Sequence, residues 1–367
     1  MKTLIVGAGI AGLATARALE LKGFEVDIVE RHTASPTAGQ GLFLPGNATR
    51  ALAILGILEE VLKIAFPIDA QRILTSRGVV VNEVATQTVW GDCGPCLALP
   101  RAKLIDALRK SLRTTRISYG MSVKATRLRN GVREVQFNDD SIGDYDLVIG
   151  ADGIRSVLRE ESLGGAVPRP LGMCCWRLAV ENPNQVDAWT AMLGKKRTLL
   201  AIPMSSSELY IYADCPTAEF GDGSIRVLKE HFSSFGNPLG TIIANLDEKT
   251  VAHTATLEEI PPCRFIGDRI VLVGDAAHAC SPSMAQGAGM ALEDAIVLAN
   301  CLARNGQTDR PLEEFYMRRI ERVDWVRQQC HARDKLRSAS DLVRNLVLRH
   351  FGTSLYSRSY RPLTKNL

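Results

Sequence analysis

TLIVGAGIAGLATARALELKGFEVDIVE, residues 3–30, is the stretch on which the reading of this chain turns. Thr3–Val6 is a short apolar run of the kind that forms a buried strand. Gly7-Ala8-Gly9-Ile10-Ala11-Gly12 follows as GxGxxG. Ile10–Leu21, rich in Ala and Leu and stopped by Gly23, predicts a helix. Glu25–Glu30 predicts the next strand and closes on an acid. Strand, glycine turn, helix, strand and acid in this order form the dinucleotide fingerprint. Gly7 permits the tight turn, Gly9 lets a pyrophosphate reach bare backbone, and Gly12 lets helix and strand pack. Glu30 is placed for the ribose hydroxyls of an adenosine. The pattern does not separate NAD from FAD.

Two later stretches repeat the theme of strand, glycine turn and helix. Tyr145–Ile149 leads into Gly150-Ala151-Asp152-Gly153-Ile154-Arg155-Ser156, with Arg159 one turn on. Asp152 and Arg159 are placed to brace the turn and meet phosphate at the helix start. Ile270–Val273 leads through Gly274-Asp275 and a loop of small residues, Ala276–Ser283, interrupted by Pro282. A helix is expected from near Met284 to Ala303. Its first turn carries Ala285, Gln286, Gly287, Ala288 and Gly289, small enough for a flat ligand to lie against its positive end.

The remaining landmarks fill in an α/β chain. Gly39-Gln40-Gly41 and Pro45-Gly46 mark loops, and Asn47–Lys63 predicts a helix with Asn47 as its cap. Arg72–Leu74 and Val79–Glu83 suggest a hairpin, Ala102–Leu112 a helix, and Asn130-Gly131 a tight turn between Met121–Leu128 and Val132–Phe137. After Pro168 strand-like pieces dominate: Cys174–Val180, Thr198–Ile202, Leu209–Ala213 and Thr254–Glu258, with one helix at Ser224–Phe235. This suggests a β-rich second lobe. Helices then fill Leu312–His350.

At 367 residues, 46% hydrophobic and 23% charged, the chain has material for a full core and two lobes. A net charge of +4 implies no polyanionic partner. From Pro311 onward twelve Lys and Arg stand against six Asp and Glu, a balance read as a solvated helical face rather than a nucleic-acid or membrane patch. No run reaches membrane-span length, and Met1-Lys2 enters the first strand without a signal-peptide pattern. Nine scattered cysteines point to a reducing cytoplasm. Cys93-Gly94-Pro95-Cys96 is read as a turn rather than a redox pair. His278 reads as a loop-packing residue, and the six histidines offer no metal-ligand spacing.

With these three glycine-centred motifs in this order, the sequence resembles the single-component aromatic hydroxylases, FAD-dependent monooxygenases of the para-hydroxybenzoate hydroxylase type. The stretches that carry the resemblance are VGAGIAGLATARAL with Glu30-Arg31, GADGIRSVLR and GDAAHACSPSMAQGAGMALEDA. Asn47–Leu52, Leu99-Pro100-Arg101 and Cys175-Trp176-Arg177 add to it. Two features depart from common patterns. Ala285 stands where the loop often carries Gly, and the WxWxIP pattern of flavin halogenases is absent at Trp176. A thioredoxin-like C-terminal extension is not expected.

The resemblance implies an α/β fold: a Rossmann-like FAD-binding domain, an inserted β-rich substrate domain and C-terminal helices. The expected boundaries are 1–70, 97–167 and 264–303 for the first, 71–96 and 168–263 for the second, and 304–367 for the third. It implies that Gly7, Gly9, Ala11, Gly12, Glu30, Arg31, Gly41, Arg101, Asp152, Arg159, Asp275, Pro282, Gln286, Gly287 and Ala288 serve FAD. NAD(P)H would visit as a transient reductant, and dioxygen would add to form a flavin hydroperoxide that hydroxylates or epoxidises an aromatic or polycyclic substrate. The alternatives are a prenyl-reductase-like flavoenzyme and a non-catalytic FAD-binding protein.

In the β-rich part, Arg177 either pairs with a carboxylate or points into the pocket, where the resemblance favours a catalytic role. Tyr210 and Tyr212 share one strand face. Tyr212 is the candidate acid–base hydroxyl, and packing is the plainer reading of each. The pocket is expected to draw on Trp176, Leu178, Trp189, Met192, Leu200, Ile202, Met204 and Tyr210, a planar apolar site with Arg177 as its polar anchor.

Overall fold

The computed structural model describes residues 1–33, 41–304 and 310–367. The Gly39-Gln40 loop reading, and residues 305–309 of the C-terminal helical unit, lie outside the described residues.

Three segments far apart in sequence build the first sheet. Its strands run in the order Ile266–Gly267, Ile270–Leu272, Leu147–Gly150, Thr3–Val6, Val26–Glu30, Arg116–Tyr119. All neighbours are parallel except the first pair. Thr3–Val6 and Leu147–Gly150 are buried along their whole length, as strands covered on both faces must be. Val6 pairs with Gly150, and Gly150 with Leu272. The three glycine turns therefore leave the same carboxyl edge of the sheet, where open α/β sheets bind ligands.

The glycines there are dictated by contact. Gly7 sits at φ +109°, and a Cβ on it would meet the Ala151 carbonyl. A Cβ on Gly12 would collide with the Gly7 carbonyl oxygen, so its role is helix–strand packing. The helices Ile10–Glu20 and Gly287–Ala303 pack against each other over this sheet.

The second sheet has seven strands in the order His253–Glu259, Arg169–Glu181, Glu208–Pro216, Arg197–Pro203, Trp189–Gly194, Ala70–Thr75, Val80–Ala85. One face packs on the helices Ile225–Phe232 and Leu239–Ala244 in an apolar layer that includes Trp176, Leu178, Met192 and Phe232. The other face looks toward the first sheet and the C-terminal helices Pro311–Ser338 and Asp341–Tyr360.

Several expected elements differ in detail. The helix expected over Asn47–Lys63 is two, Gly46–Ile54 and Leu58–Leu62, parted at Gly56 with φ +73°. Pro45 occupies the cap position, and the Asn47 side chain is used elsewhere. The strand expected over Tyr145–Ile149 is split into Ile142–Tyr145 and Leu147–Gly150. Trp189–Gly194 is a strand the sequence reading did not contain. The helix expected from Met284 begins at Gly287, because Pro282–Met284 is a single 3-10 turn and Ala285 is left-handed at φ 49°. Asn130 and Gly131 both take positive φ, as the predicted hairpin turn requires.

Candidate active site

A cavity of about 980 Å³ runs from the carboxyl edge of the first sheet onto the inner face of the second. At its first end the wall contains Gly7, Gly9, Ala11, Glu30, Arg31, Gly41, Arg101, Asp152, Asp275, Pro282, Gln286, Gly287 and Ala288. A Cβ on Gly9 would meet nothing within 4 Å, so the backbone there is bare to the cavity. Glu30 accepts hydrogen bonds from the Ala8 N–H at 2.8 Å and the His32 N–H at 3.0 Å, which ties the acid to the glycine turn.

Asp152 accepts from the Val157 N–H at 2.9 Å through Oδ2, while its buried Oδ1 has no partner in the protein. Burial pushes its carboxyl up, against the pull of Ser156 and the backbone donors. Arg101 has no carboxylate within 4 Å among the described residues, and burial lowers its guanidinium pKa with Asp275 opposing. Bare backbone, an unpartnered acceptor and an unpaired cation are the complement of a large ligand with both hydroxyls and phosphates.

Two expected cofactor residues lie elsewhere. Arg159 is fully buried and does not face the cavity. Its guanidinium donates to the carbonyls of Ala166, Ala276 and Ile154 at 2.7, 2.9 and 2.6 Å, so it knits the second and third motifs together. Gly12 is likewise inside the packing.

Beneath the third motif lies a buried polar network. The Asn47 and Gln286 amides bond reciprocally at 2.9 and 3.1 Å, and Asn47 Nδ2 also donates to Glu293 at 2.9 Å. Arg319 bridges Glu293 at 2.9 Å and Asp294 at 2.7 Å. Asp294 in turn holds the His278 ring at 2.6 Å and the Gly274 N–H at 2.9 Å. Burial opposes the Asp294 charge, but His278 and Arg319 outweigh it and hold the carboxyl below its ordinary range. Gln286 and Gly274 are thus fixed from behind before any ligand arrives.

At the far end, the second sheet presents Arg177, Trp189, Leu200, Ile202, Tyr210 and Tyr212 to the cavity. Strand side chains alternate, so odd positions of Arg169–Glu181 and even positions of Glu208–Pro216 share this face. Trp176, Leu178 and Met192 belong to the opposite face and pack under the outer helices. The Trp176 indole donates to the Gly223 carbonyl at 2.7 Å. Their placement in the pocket is corrected by this parity. Met204 is buried in the apolar layer behind the wall without lining the cavity.

Arg177 has no carboxylate within 4 Å among the described residues. Tyr210 is pushed up to about 12 by burial and so stays a neutral phenol. Cys93 follows the end of the helix Gln87–Trp90 rather than opening one, and burial raises both its thiol and that of Cys96, the latter to about 12.

The sequence reading missed the C-terminal contribution. Val323, Val326, Arg333 and Arg337 of one helix and Leu348 and Tyr356 of the next line the cavity. The basic tail is not a solvated face: Arg319 and Arg344 are fully buried, and Arg337 pairs with buried Asp214 at 2.6 Å. The available signal was the spacing of Phe315, Arg319, Val323, Val326 and Cys330, an inward stripe at helical period.

A Rossmann-type sheet with three glycine turns at its carboxyl edge, joined by one cavity to a mostly antiparallel sheet, defines a flavin-binding oxidoreductase. Residues 1–328 match the family described as FAD binding domain, and the chain belongs to that family. The 2-heptyl-3-hydroxy-4(1H)-quinolone synthase of Pseudomonas aeruginosa is 35% identical over 343 residues, covering 90% of this chain and 87% of the relative. An FAD-dependent urate hydroxylase of Klebsiella pneumoniae is 28% identical over 335 residues, covering 88% and 87%. In fold, the chain matches Klebsiella pneumoniae HpxO, solved with FAD and uric acid, at TM-score 0.88 and 24% identity, with 99% and 97% of the two chains covered. The protein is an FAD-dependent monooxygenase, and these relatives support that reading over the reductase and non-catalytic ones. No helix among the described residues is long and apolar enough to cross a membrane.

Proposed function

We propose that this protein uses NAD(P)H and dioxygen to insert one oxygen atom into a planar nitrogen heteroaromatic that carries an apolar substituent. FAD, when bound, supplies the oxygen-activating redox chemistry. The chain's own residues hold, orient and shield. In this reading Gly7, Gly9, Ala11, Glu30 and Arg31 take the adenosine and pyrophosphate, with Gly41, Arg101, Asp152 and Asp275 along the linker. Pro282, Gln286, Gly287 and Ala288 lie beside the reactive ring. The N-terminus of Gly287–Ala303 is aimed into the cavity, where its dipole favours negative charge on that ring. The C-terminal helices keep water out. In the same reading the chain divides into an FAD-binding domain over 1–70, 97–167 and 264–303, a substrate domain over 71–96 and 168–263, and the C-terminal helices over 304–367, and the scattered thiols support a cytoplasmic setting.

The observation that carries the substrate class is the wall opposite. Among the described residues Arg177 is a cation without a carboxylate partner, set among Trp189, Leu200 and Ile202 and beside two neutral tyrosines. Such a site takes an apolar ring with a hydrogen-bond acceptor or developing negative charge at one point. Among the relatives, one is named for a heptyl-bearing 4(1H)-quinolone, a ring system of that description, and one for urate, which shares the planar nitrogen heterocycle and the ring oxygens but carries no apolar substituent. The test is NAD(P)H oxidation by the FAD-loaded protein with quinolone, hydroxypyridine and purine probes under labelled dioxygen. One labelled atom in the product is expected. Turnover that continues without dioxygen would sink the reading.

A further inference from the structure

The first turns of the helix Asp341–Tyr360 are inside out for a helix that meets water. Arg344 is fully buried, and its guanidinium donates to the Leu193 and Gly194 carbonyls, each at 3.1 Å. Leu342, Val343 and Leu346, its neighbours in sequence, point outward at 86, 55 and 61% exposure. A single exposed leucine needs no reason, but a contiguous set marks an interaction surface.

The set continues onto the second sheet. Leu342, Leu346, Arg349 and Thr353 recur at i, i+4, i+7 and i+11, one stripe of a helix. The Thr353 hydroxyl accepts from Asn82 Nδ2 at 3.1 Å, so the stripe runs beside Val80–Ala85, the outermost strand of that sheet. Val79 and Val80, where that strand begins, are exposed as well. The hairpin tip just before them, Ser76-Arg77-Gly78, neighbours a second tip at Lys195-Lys196. The strands that lead into the two tips run parallel, with Thr75 opposite Leu193. The Arg344 bonds to Leu193 and Gly194 set the start of the helix against this second tip.

Charge decides what fits here. Arg77, Lys195, Lys196 and Arg349 stand exposed around the apolar set, and none has a carboxylate within 4 Å among the described residues. The helix and the outer strand carry one acid each, and both are engaged: Asp341 by Arg344 and Glu83 by Arg72, each at 3.1 Å. Leucines and valines ringed by free cations match a surface of acyl chains beneath anionic headgroups. A second copy of the chain fits poorly, because a two-fold contact through this face sets its four cations against the same four.

We propose that this face docks the protein reversibly on an anionic membrane surface. Leu342, Val343, Leu346, Val79 and Val80 reach past the headgroups, and Arg77, Lys195, Lys196 and Arg349 sit among them. The contact is peripheral, since no helix among the described residues is long and apolar enough to cross a bilayer. Another side of the same helix, with Leu348, Gly352 and Tyr356, lines the cavity. Docking therefore sets the cavity roof against the phase in which an apolar substrate collects.

The test is sedimentation of the FAD-loaded protein with vesicles of phosphatidylcholine alone and of phosphatidylcholine mixed equally with phosphatidylglycerol. Wild type is expected to sediment with the mixed vesicles only, and rising salt should release it. Lys195→Gln with Lys196→Gln should weaken the partition about 30-fold, the scale of two cations at such a surface. Leu342→Ser with Leu346→Ser should weaken it about tenfold or more. Both variants should keep wild-type flavin content and melting temperature, because these four side chains lie outside the core and the cavity wall. No sedimentation with the mixed vesicles, equal sedimentation with both kinds, or variants that sediment like wild type would overturn the proposal. So would a wild-type dimer in solution that Leu342→Ser with Leu346→Ser turns into a monomer, which would make a second copy the occupant. None of these readouts uses turnover, so the substrate reading stands or falls separately.

Discussion

Ala285 holds φ 49° and ψ 36°, a left-handed conformation that costs an alanine about 1–2 kcal/mol relative to the right-handed helix. The strain sits at the turn that delivers Gln286 and Gly287 to the cavity. Ala285→Gly is expected to raise stability by about 1 kcal/mol or less, since glycine relieves the strain but loosens the unfolded chain. Thermal denaturation with FAD retention unchanged is the check. Arg177 makes the opposite kind of prediction. Arg177→Met should leave flavin binding intact and lower kcat/KM about 10–100-fold on substrates with a ring oxygen, the scale of a lost charge-assisted hydrogen bond. At this scale the sequence was legible wherever a residue's reason was local. The turn at Gly7, the bare backbone at Gly9 and the place of Glu30 beside them were legible because a turn and its acid lie within one unit. Arg159 was legible in part: it braces the turn through the Ile154 carbonyl, but its further acceptors at Ala166 and Ala276 are set by tertiary contact and turn it away from the cavity.

The elements show where periodicity informs and where it misleads. The apolar strands of the β-rich part were legible as strands, but which face meets the ligand was not. Both faces are buried, one under helices and one around the cavity, so hydrophobicity carries no parity signal. Arg177 was a marker for its own strand, and consistent use of it would have moved Trp176 and Leu178 out of the pocket, while Met192 lies on a strand the sequence reading did not contain. The consequence is measurable: Trp189→Ala should raise KM about tenfold or more with little change in flavin content, whereas Trp176→Phe should lower melting temperature and leave KM unchanged. On the helix Gly287–Ala303, Asp294 is expected to be the most sensitive position. Asp294→Ala takes away one of the two carboxylates on buried Arg319 and the acceptor of the His278 ring and the Gly274 N–H, and should cost about 3–5 kcal/mol by chemical denaturation. Its folded pKa is depressed, so its stabilising contribution is complete above the ordinary aspartate value, near pH 4, and is lost as pH falls below it. The melting temperature of wild type should therefore drop below about pH 4 more steeply than that of Asp294→Asn.

Across the whole molecule, the cavity is closed by segments from every part of the chain. The sequence reading located its first wall in three motifs and its second in the β-rich insertion, but left its roof in solvent. A charge count cannot distinguish arginines that face water from arginines that face Glu293 or Asp214, since those partners lie far away in sequence. The sheet order adds a temporal consequence. Thr3–Val6 leaves the ribosome before the rest of its sheet: its neighbour Leu147–Gly150 follows much later, and the turn after Leu272 and the helix ending at Ala303 later still. At translation rates of about 5–20 residues per second, roughly 15–60 s separate the first strand from that helix. During this interval the nascent chain carries half a nucleotide cradle and an uncovered apolar strand. Stalled nascent chains that end before the helix should be cleaved readily by protease whether or not FAD is supplied, and chains that extend beyond Tyr360 should gain FAD-dependent protection. For this architecture, flavin loading is an event that follows synthesis rather than one that guides it.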